Sequence, residues 1–352
     1  MKPIRIQRST VVHAALLLSL ALIWSWHAIA QTEESATGST AQAGRGVQGP
    51  AYYQLEETSP AVEVGVLVTD EDGNVVTGLR AGNFRVLDNG TPRAIDAFSP
   101  SSAPITITIL MEYSAASFGY FAGKAGSWAS GFLEHLEPKD WVALMTYDMR
   151  SKVQVDFTHR RYEVRDAIQT LGPPQFSEAN LFDGMVEALD KLAAVKGRKS
   201  ILLLSTGMNS FSEATLDEVR ERLRNTDTVL FCIGLAEGEY IRSGGSDIEY
   251  IKGKAWLSDF AKQTGGIALF PRFDAELPSI FRSVVGFLRN ESTLTLRLPK
   301  EYRDGKYHRL TVEVIGSDGK PFMVTNAKGR KRKVEVFARE GYMAPMGRSQ
   351  LP

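Results

Sequence analysis

Ile105-Thr106-Ile107-Thr108-Ile109-Leu110-Met111 is almost continuously apolar and β-branched. A strand with one solvated face alternates polar and apolar residues. An unbroken run of this length instead predicts a strand covered on both faces, as in a parallel sheet. Comparable runs recur at residues 141–146, 200–205 and 228–235, with a shorter one at 266–270. The intervening stretches 117–136, 161–171, 181–194, 212–224, 255–263 and 275–288 read as helices. Leu181, Met185, Leu189 and Leu192 repeat at helical spacing, as do Leu216, Val219 and Leu223. Strands that alternate with helices predict an α/β fold: a doubly wound, mostly parallel sheet with helices on both faces.

Outward from this core the period changes to two. Val62, Val64, Val66 and Val68 alternate, followed by the turn Asp72-Gly73-Asn74, then Phe84, Val86 and a tight turn at Asn89-Gly90. Beyond Asn290 the alternation returns at Leu294, Leu296 and Leu298 and again at Leu310, Val312 and Val314, with Val334, Val336 and Phe337 as a last strand. Period two marks half-buried strands, and hairpins are marginal alone. The expected organisation is therefore a β segment at 52–100, an α/β domain at 101–290, a β segment at 291–342 packed with the first, and a disordered tail at 343–352.

The amino terminus reads as a targeting segment. Lys2, Arg5 and Arg8 precede the apolar run 11–23, which closes on Ala28-Ile29-Ala30. A basic flank, a short apolar stretch and a small-x-small site are the parts of a secretory signal at 1–30. An uncleaved anchor is the alternative, although the run is shorter than the ~20 residues that span a bilayer. No cysteine lies near the site to carry a lipid. Residues 31–51, rich in Ser, Thr, Gly, Ala and Gln, read as a flexible linker. The expected location is periplasmic or extracellular, with no membrane contact after cleavage.

Composition narrows the function classes. The chain has 352 residues, 43% hydrophobic and 23% charged, enough to bury a sizeable core. Lys+Arg 41 balances Asp+Glu 41, so no net field draws it to nucleic acid. The one cysteine, Cys232, can form no internal disulfide and sits in a buried-strand pattern. His135, His159 and His308 have no partner at zinc-ligand spacing. There is no Gly-x-Ser-x-Gly elbow and no phosphate-binding glycine string. Asp70-x-Asp72-x-Asn74 opens like a calcium loop, but Val75 and Ala81 stand where its glycine and glutamate belong, so it reads as a β-turn. The basic run 328–333 reads as a solvated hairpin turn.

Three parts in order carry a family resemblance. A strand ending Leu-Met-Glu112-Tyr-Ser114 runs into a helix; a loop Glu178-Ala-Asn-Leu-Phe-Asp183-Gly opens another helix; and the strand Ile-Leu-Leu-Leu-Ser-Thr206-Gly207 follows. This order resembles the von Willebrand factor type A domain. It is most similar to the bacterial VWFA-related family first grouped from acidobacteria, in which Val75-Val76-Thr-Gly-Leu79 with Asn83-Phe84 and a tail like Arg339-Glu-Gly341-Tyr342 have counterparts. The resemblance implies adhesion through a metal-ion-dependent site: Asp-x-Ser-x-Ser after the first strand, a Thr from a second loop and an Asp from a third. On that pattern Glu112 takes the first Asp position and Ser114 the first Ser. Ala116 takes the second Ser, with Ser117 following it. Ala179 takes the Thr, with Asn180 beside it, and Thr206 takes the last Asp.

Only Ser114 matches outright. Mg²⁺ favours hard anionic oxygen, so the expectation is a degenerate site with no cofactor, or weak Mg²⁺ at most. Glu112 would then be a solvated carboxylate, and Ser114 and Ser117 would cap the next helix. The function expected is an exported, non-enzymatic binding or scaffolding protein that engages an unidentified protein ligand through loops at the C-terminal edge of the sheet. The alternatives are a hydrolase using Glu112, Asp183 and Ser114, a metal-dependent adhesion module with an atypical site, and a structural envelope protein. Amino-terminal sequencing of protein from the native host is expected to start at Gln31; a chain still beginning at Met1 or Lys2 on membranes would identify an anchor instead.

Overall fold

In a computed structural model of the chain, the described residues are 60–100, 103–235, 246–325 and 329–346. The signal and linker expected at 1–51, the start of the β segment expected from 52, and residues 236–245 and 347–352 lie outside them.

The strand β5 (Ile105–Glu112) is buried at every position. It lies between two parallel neighbours, β6 (Trp141–Tyr147) and β8 (Arg198–Leu204). The sheet continues through β9 (Val229–Ile233) to the short β10 (Ala268–Leu269), and on the other side ends at β7 (Ser151–Thr158), giving the order β10-β9-β8-β5-β6-β7. All neighbours are parallel except β7, which runs antiparallel to β6. The helices are α1 (Ala115–Phe121), α2 (Ala125–Leu133), α3 (Arg161–Thr170), α4 (Leu181–Ala193), α5 (Leu216–Asn225), α6 (Asp247–Thr264) and α7 (Leu277–Asn290).

Successive β5 residues point to opposite faces. Ile105, Ile107, Ile109 and Met111 pack with α1, α2, α3 and α7 through Phe121, Trp128, Ile168 and Phe281. Leu110 packs on the other face with α4, α5 and α6 through Met185, Val219 and Phe260. This is the doubly wound, mostly parallel α/β architecture expected from the sequence.

Several boundaries differ, each for a local reason. The stretch 117–136 is two helices. A Cβ at Gly123 would lie 2.7 Å from the Gly119 carbonyl oxygen, and the Trp128 indole N–H donates to the Phe121 carbonyl at the break, at 2.8 Å. Helix α6 starts at Asp247, eight residues before the sequence expectation, because Ser246 and Glu249 form a capping box. Thr215 and Glu218 do the same for α5. Strand β7 was not anticipated, although Val153, Val155 and Phe157 alternate with polar residues.

The flanks form two further sheets. One has the order β15-β1-β11-β4, from Glu335–Ala338, Ala61–Thr69, Ser292–Arg297 and Ala97–Pro100. The other has the order β16-β12-β2-β3, from Gly341–Met343, Tyr307–Val314, Phe84–Asp88 and Thr91–Arg93. Their shared core holds Val64, Val66 and Val68 with Leu294, Leu296, Val86 and Leu310. The opposite side of β1 supplies Leu67 to the core of the α/β domain. Strand β16 extends through Met343 and Ala344 is buried, so ordered chain passes the 342 boundary expected for the tail. The basic run becomes strand β14 (Lys331–Lys333), paired with β13 (Met323–Thr325). At the turn after β1, Asp70 Oδ1 accepts the Asp72 and Asn74 N–H groups, a side-chain-closed β-turn.

One buried polar cluster ties these flanks together. His308 Nδ1 lies 2.8 Å from Asp88 Oδ1 and Nε2 lies 3.1 Å from Asp304 Oδ1, while the Tyr342 hydroxyl donates to Asp88 Oδ2 at 2.8 Å. Both ring nitrogens face carboxylates, a geometry that an imidazolium satisfies with two donors. Burial alone would lower the His308 pKa, but the hydrogen bonds and charges of Asp88 and Asp304 outweigh it and raise the value. A raised folded-state value stabilises fully below the unfolded pKa of about 6.5 and loses that contribution as pH rises through the folded value. Thermal melting should therefore fall on the alkaline side of neutrality by more in the wild type than in His308→Gln; equal slopes would remove the imidazolium from the account.

Candidate functional site

The C-terminal edge of the parallel sheet is where the expected site residues lie. Glu112 ends β5, and Ser114 is the N-cap of α1. The Ser114 backbone N–H donates to Ser117 Oγ at 3.2 Å, and Ser117 Oγ donates to the Glu112 carbonyl at 2.9 Å. The two serines thus shape the start of α1 as expected.

Glu112 does not behave as expected. It is 1% exposed, because the loop after β8 closes over it. Its Oε1 accepts the Ser114 hydroxyl at 2.6 Å. Its Oε2 accepts the Thr206 N–H at 2.7 Å, the Thr206 hydroxyl at 2.8 Å and the Ser205 hydroxyl at 3.0 Å. The carboxylate is consumed in joining the end of β5 to the loop after β8, so the solvated-carboxylate expectation is corrected. Burial pushes its pKa up, against the opposing pull of the Ser114, Thr206 and Ser205 hydrogen bonds.

Two members of this cluster were missed in the sequence. The Tyr147 hydroxyl donates to Ser205 Oγ at 2.7 Å, and Ser205 Oγ also accepts the Gly207 N–H at 2.8 Å. Burial and the Glu112 charge hold the Tyr147 phenol far above its usual range, so it remains a donor. The available signal was positional. Tyr147 pairs with Glu112 in register across β5 and β6, and Ser205 closes the run at 200–205.

The second loop does not join the cluster. Ala179 is buried, and its carbonyl accepts the Ser210 N–H at 2.9 Å. Asn180 begins α4, with Oδ1 accepting the Phe211 N–H at 2.9 Å and Nδ2 donating to the Met149 carbonyl at 3.3 Å. It braces the β6–β7 turn against the loop after β8. Ala116 is half-buried in the first turn of α1. Asp183 accepts the Ala214 N–H at 2.8 Å and the Glu213 N–H at 3.1 Å. The trio Glu112, Asp183 and Ser114 is therefore not assembled for hydrolysis. Ser114 is buried with its hydroxyl committed to Glu112, and Asp183 is spent on backbone.

Solved von Willebrand factor type A domains are similar to this chain. The von Willebrand factor type A protein of Catenulispora acidiphila is 10% identical, covering 84% of this chain and 76% of its own, with a TM-score of 0.43. The vWF domain of the type V pili tip protein Mfa5 from Porphyromonas gingivalis is 11% identical over 53% of this chain and 96% of that one, with a TM-score of 0.41. The conserved hypothetical protein BatB from Bacteroides thetaiotaomicron is 13% identical over 53% of this chain and all 100% of that one, at 0.40. No protein-family model matches the chain, and no curated protein does. Likenesses this distant assign no function, and the fold rests on the strand order and register described above.

The metal-ion-dependent site of von Willebrand type A domains can be tested on this chain's own donors. Mg²⁺ requires near-octahedral oxygen at about 2.0–2.1 Å. Here the Thr206 N–H and the Ser114, Ser205 and Thr206 hydroxyls converge on the one carboxylate, so a cation approaching Oε2 would meet donors already in place. Ala116 and Ala179 offer no side-chain oxygen, and Asn180 is engaged elsewhere. These residues do not fit a divalent cation as they stand.

Removing the carboxylate should be costly. Glu112→Ala leaves the Thr206 N–H and the Ser114 and Ser205 hydroxyls without their acceptor and opens a cavity, an expected loss of about 3 kcal/mol in urea unfolding. Glu112→Asp keeps the charge but loses reach to Thr206, an expected loss of about 1–2 kcal/mol. Millimolar Mg²⁺ or Mn²⁺ should leave the wild-type melting temperature unchanged. Tight metal binding by calorimetry that disappears in Glu112→Ala would contradict this account.

Proposed function

We propose that this chain is an exported, non-enzymatic binding module that engages a protein partner through the loops at the C-terminal edge of its sheet, without a bound metal. The observation that carries the reading is the placement of exposed aromatic side chains on loops whose backbones are clamped to the closed edge. Phe176 is 45% exposed and Phe211 66%. The Phe176 carbonyl accepts the Ala115 N–H at the start of α1, and the Phe211 N–H is held by Asn180. Large aromatics on a rigid backbone supply contact area at low entropic cost, which is why they dominate binding surfaces. Export is supported by the basic flank and small-x-small site of residues 1–30. Among the described residues no helix is long and apolar enough to cross a membrane.

The test is capture of a partner from an envelope extract of the native host by the full chain. Phe176→Ser with Phe211→Ser should weaken capture about tenfold or more, and EDTA should leave it unchanged. Capture unaffected by the aromatic substitutions would reject the loop surface. Capture abolished by EDTA would reject the metal-free mechanism.

A further inference from the structure

Gly253 stands in the interior of the 18-residue helix α6. Glycine there costs helix stability relative to alanine, and an interior glycine often marks a close approach by other backbone. Here that backbone is the loop after β8. A Cβ on Gly253 would lie 2.8 Å from the Thr206 carbonyl oxygen and 3.0 Å from Gly207 Cα. The approach is reciprocal. Gly207 holds φ at +80°, and a Cβ on it would lie 2.5 Å from Gly253 Cα. Helix and loop therefore touch main chain to main chain. Backbone on both sides cannot step aside as the tip of a long side chain can.

Thr206 joins two contacts. Its N–H and hydroxyl donate to Glu112, while its carbonyl oxygen faces Gly253. Both neighbours are firmly held. Glu112 ends the buried strand β5. Helix α6 is pinned on either side of Gly253, with Tyr250 before it in one core and Leu257 and Phe260 after it in the other. Trp256 also packs edge-on against Phe182 of α4, with ring centroids 5.0 Å apart. Beyond Gly207 the loop is taken up by the start of α4. Asn209 Oδ1 accepts the Phe182 N–H at 3.1 Å, and the Phe211 N–H donates to Asn180. The loop is thus held by hydrogen bonds at Glu112 and at α4, and by steric contact at α6. The hydrogen bonds choose which atoms meet, and the contact sets how far the loop lies from Glu112.

We propose that Gly253 is a positioning residue for the binding loop: the bare backbone of α6 holds the loop after β8 closed over Glu112 and so fixes where Phe211 is displayed. The proposal rests on the loop-surface reading above for its functional meaning, and adds the helix that sets that surface. Gly253 is itself buried and acts through the loop. A side chain at this position moves the loop as a body, because Thr206 to Phe211 is tied at both ends.

The experiment is native-state amide hydrogen exchange of the full chain, comparing wild type with Gly253→Ala. The Thr206 and Phe211 N–H groups should exchange about tenfold faster or more in the variant, measured relative to Leu203 in β8, whose rate corrects for any change in global stability. The Phe211 N–H discriminates, since it bonds Asn180 on the α4 side and a clash confined to 206–207 would leave it unmoved. Gly286→Ala, inside α7 where a Cβ meets nothing within 4 Å, should leave both ratios within about twofold. Should Gly253→Ala not fold, Leu257→Ala loosens α6 from within the core and should speed the same two amides relative to Leu203. Unchanged ratios, or acceleration of Thr206 alone, overturn the proposal. Partner capture separates it from the reading beneath it. Faster exchange with intact, Phe211-dependent capture would reject a role for Gly253 in recognition, whereas capture indifferent to Phe211→Ser would reject the loop surface and leave the positioning of the loop standing.

Discussion

The C-terminal edge of this protein depends on one buried carboxylate that has no cation beside it among the described residues. Glu112 is held by hydroxyls and a backbone N–H drawn from the loops after β5 and β8. Taking a carboxylate out of water is expensive, and donors aimed at both oxygens are the means by which a protein offsets that cost without a counter-ion. The arrangement works because glutamate is one methylene longer than aspartate. From the end of β5 it reaches the loop after β8 directly, accepting the Thr206 N–H and hydroxyl.

That closure has consequences beyond Glu112. The loop after β8 is bonded in turn to the second loop through Ser210 and Ala179 and through Phe211 and Asn180, and the second loop is bonded to the β6–β7 turn. Three separate loops therefore share one hydrogen-bonded frame. Side chains that find no room inside the frame, Phe176 and Phe211, point outward from fixed backbone. Pre-organised display of this kind suits recognition, because little conformational freedom remains to be lost on binding.

At the opposite, N-terminal edge the α/β core is fastened to the flanking β sheets. Asp140, buried at the start of β6, accepts the Ile105 N–H at 3.0 Å and pairs with Arg289 at the end of α7. Arg198 at the start of β8 pairs with Glu291 at 2.7 Å and donates to the Leu288 carbonyl. Phe287 of α7 stacks on Phe337 of β15. The chain thus leaves the core along α7 under firm anchorage, and the strands that follow add to the sheet begun by β1.

Much of this architecture was legible in the amino-acid order, because burial writes itself into periodicity. The run at 105–111 predicts a strand covered twice, and the alternating valines at 62–68 predict a half-buried one; β1 is that only in its first half, because Leu67 and Thr69 on its other side are buried as well. The capping boxes at Ser246 and Thr215 have the Ser/Thr-x-x-Glu spacing, but the helix starts expected at 255 and 212 did not use it. The resemblance to the von Willebrand type A domain implied the positions of Glu112, Ser114, Ser117 and Thr206 at one edge. What Glu112 does there was decided by tertiary structure. Its burial depends on a loop 94 residues away in sequence, and no local pattern reports whether a carboxylate will meet water, a metal or hydroxyls. The same holds for Asn180, which stands beside a position that could have held a ligand yet braces a turn instead. Local sequence determines which residues reach the edge; the closing of distant loops determines which of their polar atoms remain free.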